Sequence, residues 1–152
     1  MDEKVKMRVY ISGKMTGYKD FKTKFDTAAE KLRNDSSVIA TDVKCQVFNP
    51  CDWDEYMIKQ ELSYFEMLTI DLEYVTMCDA IYMLDNWEDS LGACVELYTA
   101  LNNGLFVEFE NRKEKYTTDY LYKYCRDEIE SSRVCDAIKY IINKFCRVNI
   151  GL

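Results

Sequence analysis

The chain contains no histidine. That absence excludes Ser-His-Asp and Cys-His catalysis and any zinc site with a His ligand. Acid/base chemistry would then have to use carboxylates, Tyr, Cys or Lys. Proline occurs once, at Pro50, and marks a firm boundary. No apolar run is long enough to span a bilayer, so no membrane partner is expected. The charged start Met1-Asp2-Glu3-Lys4 leads straight into a strand pattern, with no secretory signal in view. There is no excess of basic residues: the net charge is −7. That argues against a nucleic-acid polymer as partner, because such binding needs a basic face. A small nucleotide in a local pocket stays compatible with it. There is no C-x-x-C pair either. The seven cysteines, Cys45, Cys51, Cys78, Cys94, Cys125, Cys135 and Cys146, are scattered and odd in number. They read as reduced thiols in a cytoplasmic protein. No metal or cofactor is expected.

What is present is a regular alternation of strand and helix patterns. The 152 residues suggest one domain, with a core over about 6–109 and a helical extension over about 117–148. Residues 6–12 read as a β-branched and aromatic strand. Phe21, Phe25, Ala28, Ala29 and Leu32 recur at helical spacing and predict a helix over 20–34. Residues 38–43 read as a loop or short strand, and 46–49 as a strand ended by Pro50. Leu62, Phe65, Leu68, Leu72 and Val75 form a stripe, so 52–77 is expected to be mostly helical. Residues 79–84 make a third strand, and Ser90 can cap a helix that stops at Asn102-Asn103-Gly104. Residues 105–109 form a fourth strand, followed by helices over 117–126 and 132–146. The order β-α-β-α-β-α-β-α-α predicts an α/β fold of the Rossmann-like or flavodoxin-like kind. It would be three-layered, with a parallel sheet of four to five strands and extra C-terminal helices. The apolar tail helix either covers the sheet within one chain or serves a homo-oligomer, a dimer or larger.

The chemistry-bearing residues fall where strands meet helices. The first turn is Tyr10-Ile11-Ser12-Gly13-Lys14-Met15-Thr16-Gly17. A glycine turn between strand and helix offers backbone N–H groups to an anion, with Lys14 and the hydroxyls of Ser12 and Thr16 in support. It is not a Walker loop, and its glycines also suit a plain βα turn. Glu96 ends the helix start Ser90-Leu91-Gly92-Ala93-Cys94-Val95-Glu96, where Gly92 and Ala93 leave room for a ligand. The bland alternative is a solvated helix glutamate, and Asp71, mid-helix, has the same alternative. Asp85, Asn86, Trp87 and Asp89 lie on the edge where open α/β sheets bind ligands. Trp87 is placed to stack on a base or simply to pack. Asp79 reads as a cap or turn residue, and Tyr10 as core.

Taken in order, these segments resemble the nucleoside 2-deoxyribosyltransferase-like superfamily, and within it the short DUF4406-type proteins. The resemblance rests on Tyr10 to Gly17, Phe48-Asn49-Pro50, Asp71, the run Cys78-Asp79-Ala80-Ile81-Tyr82-Met83-Leu84, Trp87, and Ser90 to Glu96, and it covers about 7–105. It implies cleavage of an N-glycosidic bond in a nucleotide or nucleoside, by hydrolysis or transfer. It assigns Glu96 as nucleophile, Asp71 as its partner in proton transfer, and Tyr10 as the residue that orients the site. It also implies a serine–phosphate contact at Ser90. Lys14 departs from the usual pattern of the first turn. Two rival readings stay open: a nucleotide-binding module without turnover, and a flavodoxin-like redox protein. The second lacks the hydroxyl-rich phosphate loop expected of it.

Overall fold

A computed structural model describes residues 4–146. Its sheet has four strands, all parallel, in the order β2-β1-β3-β4. These are β1 (Val5–Ser12), β2 (Val43–Phe48), β3 (Ala80–Met83) and β4 (Phe106–Phe109). The helices are α1 (Phe21–Asn34), α2 (Cys51–Lys59), α3 (Tyr64–Met77), α4 (Leu91–Asn102), α5 (Thr118–Glu130) and α6 (Cys135–Phe145). This is a Rossmann-like, flavodoxin-like α/β architecture.

The strands are apolar on both faces because both faces are covered. Val9, Ile11, Ala80, Tyr82 and Leu84 pack with Phe25, Ala28, Ala29 and Leu32 of α1. Tyr10, Ile81 and Met83 join a larger core with α3, α4, α5 and α6. Within it, α4 is buried without interruption from Ala93 to Ala100. A helix buried all round needs cover on its outer side as well. Helices α5 and α6 supply that cover: both pack against α4, and α6 also meets α3. The apolar face of the tail, Ile138, Ile141 and Ile142, is thereby buried within the chain.

The chain runs from β1 out to β2, then crosses back over β1 to reach β3. The reversal opens a crevice between β1 and β3 at their carboxyl ends, the topological switch point. The turn after β1 is tight there. A Cβ on Gly13 would stand 2.9 Å from Cβ of Leu84, so only glycine fits.

The span 52–77 is mostly helical, as expected, but as two helices, α2 and α3, and two further boundaries need correction. The break falls at Gln60–Ser63, where Ser63 and Glu66 form a reciprocal capping box at the start of α3. The second strand begins at Val43 rather than 46, after a short 3₁₀ turn at Ser36–Val38. The final helix starts at Cys135 rather than 132, and residues 147–148 of the expected extension lie outside the described residues. No helix among the described residues is long and apolar enough to cross a membrane. All seven cysteines are free.

Candidate functional site

A cavity of about 380 Å³ opens at the switch point, within the usual range for small-ligand sites. Four junctions build it. The turn after β1 contributes Gly13, Lys14, Met15 and Thr16. The start of α2 contributes Pro50, Asp54 and Met57, spaced four and three residues apart on one helix face. Tyr64, Met67, Leu68 and Asp71 repeat that spacing on α3. The start of α4 contributes Asp89 to Ala93 and Glu96.

Glu96 is the centre of the arrangement. Only 7% of the residue is exposed, yet it lines the cavity. Its Oε1 accepts a hydrogen bond of 2.6 Å from Ser12 Oγ, and its Oε2 accepts one from Tyr10 OH. Both donors sit on β1, two residues apart, so strand alternation aims both at the same side of the sheet. They are fully buried and have no other charge to serve. Burial pushes the Glu96 carboxyl well above the usual carboxylate range; the charge of Asp71 pushes it further, and the two hydroxyl bonds oppose the rise. Tyr10 is raised by its own burial and by the charges of Asp71 and Glu96, so it stays a donor.

Asp71 reaches the cavity from α3, and its Oδ1 accepts a 2.8 Å bond from Trp53 Nε1. Burial raises this carboxyl too, against the indole bond, which lowers it; the charge of Asp54 adds to the rise. Two carboxyls in one cavity are thus both raised, burial being the larger cause at each. Trp53 is in turn fixed by aromatic packing. It stacks on Tyr74 at 4.1 Å between centroids and lies 6.3 Å from Tyr10.

The turn after β1 and the start of α4 have separate supports. Ser90 caps α4, its Oγ accepting from Ala93 N at 3.1 Å, and the first amides of α4 open toward the cavity. The backbone N–H of Lys14 donates to Asn86 Oδ1 at 3.1 Å, which ties the first turn to the loop after β3. Asn49 sets the start of α2, accepting from Cys51 N at 3.0 Å while its Nδ2 donates to Asp26 at 2.8 Å. The segment Phe48-Asn49-Pro50 therefore has a structural task.

The structure thus gathers Glu96, Asp71, Gly13, Lys14, Met15, Thr16, Ser90 and Gly92 around one cavity, with Tyr10 and Ser12 behind Glu96. It does not bring Trp87 there. That residue is 1% exposed and packs among Phe109, Tyr116 and Tyr124, so it cannot stack on a ligand. Asp85 is exposed and points to Asn111, whose Nδ2 donates to it at 3.2 Å. Gly17 lies outside the cavity lining; its φ of +73° serves the turn itself. Asp79 accepts from Arg8 N at 2.9 Å and is structural. Sequence reasoning misses Trp53, Asp54 and Tyr64. The available signal is Pro50: the residues after it start a helix at the carboxyl end of β2, which is the ligand edge.

No curated protein and no solved structure matches the chain. The model of a family described as a domain of unknown function, DUF4406, matches residues 7–109, from within β1 to the last residue of β4. Helices α5 and α6 lie beyond the matched span. On that match, covering more than half its length, the chain belongs to the DUF4406 family.

Proposed function

We propose that this protein cleaves the N-glycosidic bond of a nucleotide or nucleoside, as a hydrolase or a 2-deoxyribosyltransferase, with Glu96 as nucleophile. The observation that carries the reading is the buried Glu96 carboxylate, held by two hydroxyl donors inside a ligand-sized cavity beside a second acid, Asp71. The resemblance to the nucleoside 2-deoxyribosyltransferase-like superfamily supports it.

The chemistry follows from the charge the reaction develops. As the bond between the anomeric carbon and the base nitrogen breaks, its electron pair leaves with the base and the sugar carbon becomes cationic. Negative charge on Glu96 is then favoured over charge on Asp71, because Tyr10 and Ser12 already point two donors at it. Folding favours the protonated form of Glu96 at rest; as the cationic centre develops, that proton passes to Asp71, which hands it to the departing base. Glu96 bonds to the anomeric carbon. Water, or an incoming base nitrogen, then attacks that carbon, returns a proton to Asp71 and frees Glu96. Lys14, Thr16, Ser90 and the first amides of α4 suit a 5′-phosphate.

The test is incubation with a panel of nucleosides and nucleoside monophosphates, read as free base by chromatography. The proposal expects release from at least one compound, lost in Glu96→Ala. Saturable binding with no release would instead make the protein a nucleotide-binding module.

A further inference from the structure

One polar side chain that lines the cavity has no part in the mechanism above. Tyr64 opens α3, where the capping box of Ser63 and Glu66 fixes the backbone. Its ring meets Phe65 edge-on at 5.7 Å between centroids, yet 42% of the residue stays exposed, so it is not a core aromatic. Its hydroxyl reaches the first turn of α4. A Cβ on Gly92 would stand 3.7 Å from the Tyr64 hydroxyl oxygen and 3.8 Å from Ser90 Oγ. Two hydroxyls from different elements thus flank one point beside the Gly92 backbone, and the glycine leaves that point open. Among the described residues nothing hydrogen-bonds to the Tyr64 hydroxyl. Burial raises this phenol, and the charges of Glu96 and Asp71 raise it further, so it remains a donor.

The position of Glu96 relative to that point decides what a ligand presents there. Gly92 and Glu96 are four residues apart, so they share one face of α4 about 6 Å apart along its axis. Helical side chains lean toward the N-terminus, which shortens the gap to about the length of a pentose. Past Glu96 the helix is closed: Leu97 to Ala100 are buried, and Tyr10 and Ser12 stand behind the carboxyl. Along α4 the cavity therefore runs from Glu96 back to the helix start, lined by Leu91, Gly92 and Ala93. A sugar whose anomeric carbon meets Glu96 then brings its 5′ end to Gly92, beside the serine suited to a 5′-phosphate. We infer that Tyr64 is a further substrate-contacting residue, whose hydroxyl donates to the oxygen at the 5′ end of the sugar, opposite Ser90. The inference rests on the reading of this cavity as a nucleotide or nucleoside site with Glu96 at the anomeric carbon. It adds to that reading a preference for sugars that carry a 5′ oxygen.

The experiment compares the parent protein with Tyr64→Phe on three compounds that share the best base of the panel: the nucleoside, its 5′-monophosphate and its 5′-deoxy analogue. The quantity is kcat/KM for base release, or Kd where a compound binds without release. Phe keeps the ring and its packing on Phe65 and removes only the hydroxyl. Tyr64→Phe should lose about tenfold on the two compounds with a 5′ oxygen, the scale of one hydrogen bond, and should match the parent on the 5′-deoxy analogue. A second variant tests the open space itself. Gly92→Ala adds a methyl at ordinary contact distance from its protein neighbours, so the fold accepts it. It should weaken the 5′-monophosphate more than the 5′-deoxy analogue. An equal loss by Tyr64→Phe on all three compounds, no loss on any, or a Gly92→Ala that takes the monophosphate as well as the parent does, would overturn the inference and leave the glycosidase reading standing. If the parent protein neither binds nor cleaves any compound of the panel, the two fall together.

Discussion

The chain has two tryptophans, and they stand in opposite relations to the site. Trp87 lies in the loop after β3, on the ligand edge, and is buried among Phe109 of β4, Tyr124 of α5 and Tyr116, two residues before α5. Among the described residues its Nε1 has no hydrogen-bond partner. Trp53 lies on α2, well apart from β3 in sequence, and its Nε1 holds the Asp71 carboxylate. Position along the chain favours Trp87; position on the helix face favours Trp53. The difference teaches that the carboxyl edge of a sheet is wider than the cavity on it. Loop residues there can face either the crevice or the helices behind it. Here α5 covers the loop after β3: Tyr124 OH donates to Glu88 O at 2.8 Å, and Tyr116 donates to the Glu88 side chain.

The largest expected effect falls on stability. Trp87→Ala empties a buried aromatic site and should cost about 3–5 kcal/mol in denaturant unfolding. A loss below about 1 kcal/mol, the ordinary effect of an average substitution, would mean that Trp87 is not the packing residue described.

The second effect is on Glu96. Its carboxyl is raised in the folded state, so folding favours the protonated form. The parent protein should therefore lose stability as pH climbs from the ordinary carboxylate range through the raised folded value. Glu96→Gln cannot ionise. It should be more stable than the parent by about 1–3 kcal/mol at and above neutral pH, with the gain vanishing toward about pH 4. Thermal melts across that range check it, and a pH-independent difference would contradict the account of Glu96.

The architecture is the part most legible in the sequence. The four strands, their parallel arrangement and the helix capped by Ser90 follow from alternating periodicity and turn chemistry. The break in 52–77 is hidden because Leu62, Phe65 and Leu68 continue the apolar stripe across it. The signal against a single helix is Ser63 with Glu66 three residues later, a capping pair. For the site, Glu96, Asp71 and the first turn are legible because they lie at junctions flanking β1 and β3. Trp53, Asp54 and Tyr64 are not, because only the tertiary turn between α2 and α3 folds them over the same crevice. The burial of Trp87 depends on α5, whose docking on α4 no local pattern encodes.

The comparison of tryptophans sharpens further at Trp53. Trp53→Phe keeps the aromatic stack and removes the bond to Asp71, at a cost of about 1 kcal/mol. That bond lowers the Asp71 carboxyl, so its loss should raise Asp71 further and move the pH profile of base release toward alkaline pH. Trp87→Phe should leave the profile where it is. The smallest effect is optical. In Trp87→Phe the remaining indole, Trp53, is bonded to Asp71 of the cavity lining, and its emission should change on titration with a bound nucleotide. In Trp53→Phe it should not. Equal responses from both variants would erase the distinction.

The central claim is that Glu96 attacks the anomeric carbon. The most direct measurement is the single-turnover rate of base release from the best compound of the panel, for the parent and for Glu96→Ala. The account predicts a fall of about a thousandfold or more, the scale of losing a nucleophile, with the affinity for the compound retained. Base release by Glu96→Ala at the parent rate would contradict it.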